Sequence, residues 1–385
     1  MKKSRWGVVF FLGLVAGVFF SKAGWASDFL NPLEDVQKCD RALHIMAMLL
    51  VGFGFLMVFV KKYGRSALTA TFLLVSVAIP LYLCLNSSGL FGSVKPGVEG
   101  LILAEFAAAG LLICAGAVLG RLKMPQYILL GLLFVPCYML NEWILLSGGL
   151  GLLAKGGFAD TGGSIVIHAF GALFGLGLIL TLTTPKEFQT PIETDAVSDR
   201  FSMLGSMVLW IFWPSFCAAL VPAAHVPQTV VNVVLALCGA TLATYVVSCA
   251  LRRKISIADI ANASLAGGVA IGSTCDHANP ASSMVIGLCA GALSVFGFAV
   301  VQSWLQKKIV KVDTCGVLYL HGLPGLMGGI AAVFVVGGLD SKLQLTGIMI
   351  AVGIALGSGY ISGRVLSLFG RRVIAYEDAE EFLEA

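Results

Sequence analysis

Residues 160–178 read DTGGSIVIHAFGALFGLGL, and residues 313–330 read DTCGVLYLHGLPGLMGGI. In each stretch an aspartate stands eight residues ahead of a lone histidine, inside an apolar, glycine-rich run of helical character. Asp160 is thereby matched with Asp313 and His168 with His321, 153 residues apart. The chain reads as two copies of one half, and the rest of it as the scaffold that brings two imidazoles together.

Composition sets the environment. The 385 residues are 58% hydrophobic and 12% charged, with a mean hydropathy of +0.93. A soluble globule with such a surface would aggregate, so the chain is expected to be an integral membrane protein. Its 46 glycines suit helices packed backbone to backbone in lipid. The ten cysteines are scattered without a CxxC pair, so neither a metal site nor a disulfide framework is indicated. They read as small buried apolar residues, with a Cys39–Cys275 bridge as the lesser alternative. No cofactor and no nucleic-acid partner is expected. The net charge of +4 needs no acidic partner, because loop asymmetry accounts for it.

Residues 1–26 open with Lys2, Lys3 and Arg5, run apolar from Gly7 to Phe20 and end in small residues, the pattern of a signal peptide. A first transmembrane helix is the alternative, although that run falls short of the ~20 residues a span needs. Eleven candidate spans follow at roughly 42–60, 67–86, 99–120, 126–147, 162–184, 201–221, 228–251, 257–275, 281–305, 314–338 and 343–368. Loops after odd-numbered spans carry most of the lysine and arginine, among them Lys61, Lys62, Arg121, Arg252, Arg253, Lys307 and Lys308; Arg371 and Arg372 follow the last span. The opposite side holds only Lys95, Lys155 and Lys342, plus Lys38 and Arg41 before the first span. Since basic loops resist translocation, the mature amino terminus is placed outside and the carboxyl terminus in the cytoplasm, with the cell (inner) membrane as the location. The expected organisation is a signal peptide over 1–26, a transmembrane domain over 27–370 and a cytoplasmic tail over 371–385. The tail is acidic, and reads as a solvated end in preference to a regulatory docking site.

On this topology span five and span ten run in opposite directions, so the repeats are inverted, a plan that puts the functional site of transport proteins at the midplane. Asp160 and Asp313 read as caps of their helices. Eight residues at ~1.5 Å rise carry each histidine ~12 Å deeper, against a hydrocarbon half-thickness of ~15 Å. Approaching from opposite faces, the two rings are expected to meet near one depth. A lone intramembrane histidine is ordinarily read as bonding a neighbouring helix, but two at matched positions mark a path or relay. Two ligands fall short of a zinc site. His44, His225 and His277 lie near predicted outer ends and read as solvated or vestibular. The glycines flanking the pair, such as Gly163, Gly171, Gly325 and Gly328, read as packing contacts that also leave room for a narrow lumen.

Further stretches run in order along the spans: HIMAMLLVGFGFLMVFVKKYGRS at 44–66, AEFAAAGLLICAGAVLGRL at 104–122, NEWILL at 141–146, LWIFWPSF at 209–216 and NASLAGGVAIG at 262–272. Together with GGSIVIHAFGALFGL at 162–176 and DTCGVLYLHGLPG at 313–325, they resemble the ammonium transporter and Rhesus protein family, in its Rhesus-type branch. The resemblance implies an all-α polytopic membrane protein of eleven transmembrane helices, an inverted 5+5 repeat plus one, with a pore within each subunit of a homotrimer. It implies twin pore histidines at His168 and His321, a phenylalanine gate at Phe106 and Phe216, and a structural vestibule aspartate at Asp160. Span geometry agrees on the gate: Phe106 lies about seven residues and Phe216 about five from the predicted outer ends of their spans, above the histidines. For either phenylalanine alone, core filler would be the ordinary reading.

The sequence departs from the ammonium-transporter branch at the outer mouth. That branch holds its cation there with aromatic rings and a hydroxyl. Here the stretch before Asp160 reads SGGLGLLAKGG without an aromatic, and Leu220 stands where the hydroxyl would fall. Weak recruitment is expected, with Glu105 and Glu142 either lending a diffuse negative vestibule or capping helices. The resemblance implies conduction of ammonia derived from ammonium, with methylammonium as a surrogate and carbon dioxide as a weaker expectation, and no enzymatic activity. A proton-coupled transporter of another small solute and an ammonium sensor are the alternatives. A hydrolase would recruit Ser164, four residues from His168.

Overall fold

In hydrocarbon a peptide group without a partner costs several kcal/mol, so long apolar runs fold as helices that satisfy their own amides. The computed structural model describes residues 32–188, 192–372 and 374–383, which form eleven principal helices and no strand. These are α1 Leu33–Phe59, α2 Gly64–Ser87, α3 Gly97–Ala117, α4 Met124–Ser147 and α5 Ser164–Leu182, then α6 Ala196–Cys217, α7 Ala223–Arg252, α8 Ile257–Ile271, α9 Pro280–Ile309, α10 Leu318–Val335 and α11 Ser341–Ser367. Each of the eleven expected spans coincides with one of them. The expected signal peptide lies outside the described residues.

Nine of these helices are long and apolar enough to cross a bilayer by themselves. The exceptions are α6, diluted by Asp199, Arg200 and several serines, and α8, which is short and broken at Ser264 into Ile257–Ala263 and Ala266–Ile271. At its length α8 rises ~22 Å, less than the ~30 Å hydrocarbon core. Turns over 272–278, buried except at Asp276 and His277, complete the crossing. Irregular backbone survives at that depth only when protein groups pair with it. Here the Gly162 amide donates to the Gly272 carbonyl at 2.7 Å and the Ser273 amide to Ser164 Oγ at 2.8 Å. Asn232 Nδ2 donates to the carbonyls of Cys275 and Ala278, at 2.9 and 2.7 Å.

Burial sorts the helices into layers. The apolar windows of α3 and α5 are 89% and 83% buried, whereas that of α11 is 33% buried. The histidine-bearing α5 and its neighbour α3 are therefore central, and α11 lies at the periphery. Since four helices lie between α5 and α10 in the crossing order, the two run in opposite directions, as an inverted repeat requires.

The tail does not hang free in solvent, contrary to the sequence expectation. The Tyr376 amide donates to the Gly120 carbonyl at 3.0 Å and the Asp378 amide to the Lys62 carbonyl at 2.7 Å. The Asp378 carboxylate accepts from the amides of Arg65 and Ser66, at 3.0 and 2.8 Å, which are open donors in the first turn of α2. Lys62 pairs with Glu377 at 3.3 Å, and the Arg372 guanidinium lies 3.9 Å over the Tyr376 ring. The acidic run is thus spent on capping a helix and pairing the basic loop before it, which composition alone does not reveal. A capping carboxylate contributes roughly 1 kcal/mol. Asp378→Ala is expected to lower the melting temperature in detergent by a few degrees and Glu381→Ala to change it less; equal melting of Asp378→Ala and the parent would show that the cap does not hold α2.

Candidate functional site

The two repeated stretches fold alike. Asp160 lies ahead of α5 and accepts from the amides of Ile165 at 3.0 Å and Val166 at 2.7 Å. Asp313 lies ahead of α10 and accepts from Val317 at 3.1 Å and Leu318 at 3.0 Å. Both carboxylates thus satisfy first-turn donors that would otherwise be buried without partners. Between cap and helix, Gly163 and Gly316 sit at φ +76° and +67°, a left-handed conformation that favours glycine. Both helices then begin with a wide π turn, Ser164–Ala169 and Leu318–Gly322, and each turn carries its histidine. Such turns insert an extra residue and so re-aim a side chain, and they recur at functional sites.

His168 and His321 face each other. Their Nδ1 atoms are 3.3 Å apart and their rings nearly parallel, 8° between planes with centroids 5.3 Å apart. Both are buried, at 2% and 3% exposure. One Nδ1–H donates to the lone pair of the other Nδ1, which two neutral imidazoles in complementary tautomers satisfy. Among the described residues His168 Nε2 has no hydrogen-bond partner. The approach of α10 to α5 requires glycine: a side-chain carbon at Gly325 would stand 2.5 Å from the Ser164 carbonyl oxygen. The Ser164 hydroxyl itself donates to the Val269 carbonyl at 2.7 Å and accepts from the Ser273 amide, so it ties α5 to α8.

Aromatic rings extend the pair into a column. Phe106 and Phe216 are in contact, centroids 4.7 Å apart and planes at 50°, and Phe216 lies 6.0 Å from His168. Trp213 stacks on His168 at 5.5 Å and Phe53 on His321 at 6.2 Å. The sequence reading passed over Trp213 and Phe53. For Trp213 a signal existed, since it precedes Phe216 by three residues and so shares its helix face. Phe53 had none, because α1 meets α10 only through folding.

One helical turn beyond the phenylalanines, Leu103 and Leu220 line a cavity of about 250 Å³ together with Tyr82, Phe91, Glu142 and Trp143. Glu142 accepts from the hydroxyls of Tyr82 at 2.6 Å and Tyr138 at 3.3 Å. The stretch before Asp160 contributes no aromatic to this cavity; its rings come from α2, the α2–α3 loop and α4. Glu105 is buried at 1% exposure beside the Phe106 position, and its Oε2 has no partner among the described residues. Neither glutamate caps a helix. His44 is half-buried, bonded to Ser215 Oγ at 3.0 Å and stacked on Phe212, whereas His225 and His277 are exposed. Cys39 is exposed and Cys275 buried, both as free thiols, so the lesser alternative of a bridge between them falls. Among the described residues no cluster of histidine, cysteine and carboxylate side chains could hold a metal ion.

A polytopic helical bundle with a buried imidazole pair beside a contact between two phenylalanines defines the class, a multi-pass membrane protein. The chain belongs to the ammonium transporter family, whose profile, the Ammonium Transporter Family, it matches over residues 7–382, and within it to the Rhesus-type branch. It is 39% identical over 302 residues to the Ammonium transporter Rh type B of Homo sapiens, covering 76% of this chain and 64% of that protein. It is 35% identical over 352 residues to the Ammonium transporter Rh type C of Xenopus tropicalis, covering 86% and 73%. The chain thus spans a little under two thirds of the type B relative. The solved structure "Nitrosomonas europaea Rh50 and mechanism of conduction by Rhesus protein family of channels" superposes with a TM-score of 0.90 at 53% identity, covering 92% of this chain and 94% of that one. A "Sensor Amt Protein" shares the fold, with a TM-score of 0.77 at 17% identity, covering 89% and 95%.

Outside the spans, burial pushes the Asp160 carboxyl up to about 6, while bonds from Ser273 and the amides of Val166, Ile165 and Ser164 pull it down. Asp313 is displaced likewise, to about 6, by burial. The folded protein holds these protons more tightly than an unfolded chain would, so their contribution to stability is full below about pH 4 and is lost as the pH rises through about 6. Melting temperature is expected to decline across that window and to level off above it. Asp160→Asn, which does not ionise, should decline less steeply; identical slopes would mean that Asp160 is ionised throughout.

Proposed function

We propose that this protein conducts ammonia derived from ammonium through a narrow apolar passage within each subunit, governed by His168 and His321. The observation that supports this most directly is the buried, hydrogen-bonded imidazole pair set in line with the Phe106–Phe216 contact. Ammonium and potassium are close in size, so a pore that admitted the cation would not separate them. Loss of a proton separates them, because neutral ammonia crosses an apolar lumen at low cost, whereas potassium keeps its charge and meets the full cost of desolvation. In this reading the cation gathers at the Glu142 cavity, where Tyr82, Phe91 and Trp143 offer ring faces and the carboxylate offers charge. Phe106 and Phe216 exclude hydrated ions and part for a small solute. The imidazoles then supply a donor and an acceptor to ammonia, and a route for a proton.

The protein is read as a homotrimer in the cell membrane with its carboxyl terminus in the cytoplasm. Basic loops on one side support that orientation. Residues 1–26 are read as a cleaved signal peptide, and carbon dioxide as a second permeant through the same apolar lumen. A hydrolase is disfavoured, because the Ser164 hydroxyl already serves two backbone partners on and beyond α8.

Uptake of methylammonium into liposomes holding the purified full chain tests the proposal. His168→Ala or His321→Ala leaves a buried ring nitrogen unpaired, at a cost of ~1–3 kcal/mol, and uptake is expected to fall about tenfold or more. Uptake equal to the parent in both variants, with the proteins folded, would remove the histidines from the path. Phe216→Ala is expected to admit potassium that the parent excludes, read as dissipation of a potassium gradient in the same vesicles.

A further inference from the structure

The cavity beside Glu142 is lined by two further charged side chains, Lys95 and Glu99. Glu99 stands in the first turn of α3, where an anion suits the open amides of a helix start, and Lys95 precedes that helix by two residues. Lys95 Nζ lies 3.0 Å from Glu99 Oε1, the two side chains being 45% and 35% exposed. The backbone beneath the lysine is held in place. Asn86 Nδ2 donates to the Lys95 carbonyl at 2.8 Å, and the Lys95 amide donates to Asn86 Oδ1 at 3.1 Å. Gly100 completes the seat, since a side-chain carbon there would collide with the Lys95 carbonyl oxygen. Glu142, in contrast, holds a hydroxyl on each carboxylate oxygen, Tyr82 on one and Tyr138 on the other. A cation entering the cavity thus meets one carboxylate bonded to hydroxyls and one already bonded to an ammonium group of the protein itself.

We propose that Lys95 is a tethered competitor of the permeant cation, occupying Glu99 and so setting the apparent affinity of the cavity for ammonium and small alkylammonium ions. The inference deepens the conduction reading and rests on it for the entry of the cation at this cavity. The lysine terminus is an alkylammonium with three N–H donors, the same head group that methylammonium carries, so the two contend for the same acceptor oxygens. A group on a short tether acts at an effective concentration in the millimolar range, and a free cation well below that range does not displace it. Lys95 also cancels the charge of one of the two carboxylates that line the cavity, which leaves Glu142 to attract an approaching cation. Glu99 is released only when the lysine swings outward, which its exposure permits. Glu99 precedes Phe106 on α3 by about two helical turns, so the competition bears on capture of the cation and not on the steps at the phenylalanines and histidines.

Methylammonium uptake by liposomes holding the full chain is measured over a range of concentrations at low ionic strength. Lys95→Met is expected to lower the concentration for half-maximal uptake about two- to fivefold, the range set by the loss of one exposed ion pair, with the maximal rate unchanged. Lys95→Gln is expected to do the same, so that a folding defect in either variant leaves the other to decide. Lys95→Arg, which keeps the charge, is expected to show no such gain, and Glu99→Gln to raise the half-maximal concentration. The double variant Lys95→Met, Glu99→Gln is expected to return close to the parent. A half-maximal concentration in Lys95→Met and Lys95→Gln that equals or exceeds the parent value overturns the proposal. So does a double variant that gains as much as Lys95→Met, since Glu99 would then not be the group released. Parent uptake that is lost in His168→Ala, together with a Lys95→Met curve that matches the parent, leaves the conduction reading standing and removes only the competitor. Parent uptake no greater than that of protein-free vesicles overturns the conduction reading and this role of Lys95 with it.

Discussion

A helix that starts inside a protein and away from water leaves its first amides without partners, and in this bundle two aspartates answer that cost. Asp160 and Asp313 each accept two first-turn amides, and each is followed three residues later by a glycine in left-handed conformation. The position of each cap sets where its helix begins, and the π turn that follows sets where its histidine points. The 3.3 Å contact between the imidazoles depends on both caps and both turns, as well as on Gly325 letting α10 approach α5.

The repeats share a backbone plan without sharing surroundings. His168 stands between Trp213 and His321 and touches Phe216, whereas His321 has Phe53. Asp160 gains a hydroxyl bond from Ser273, and among the described residues Asp313 does not gain one from a corresponding serine. Duplication thus supplies a symmetric frame that places two imidazoles at one depth, and side chains outside the repeated stretches make its two ends different. The phenylalanine contact on one side of the pair gives the bundle a direction that the frame alone lacks.

Irregular segments carry much of the remaining specificity, and they are tolerated because their backbone groups are paired. The turns after α8 are held by Ser164, Asn232 and Gly162. At the other end of the bundle the tail returns to cap α2 through Asp378, so its acidic residues act as structure. Both arrangements join segments far apart in sequence, and neither has a local signature.

The sequence by itself determined the class of fold, because hydrocarbon admits only helices from runs of this length and hydropathy, and because basic residues mark alternate loops. It also determined the caps and the histidine pair, since an aspartate eight residues before a histidine, met twice on helices of opposite direction, leaves one depth for both rings. Tertiary structure decided what depends on neighbours from other helices: the stacking of Trp213 and Phe53 on the imidazoles, the aromatic cavity around Glu142, the bonded state of His44 and the docked tail. Periodicity reports which face of a helix is apolar. It does not report which helix that face meets, and in a bundle of nearly uniform hydropathy the choice of partner rests on glycine contacts and single hydrogen bonds that exist only once the chain has packed.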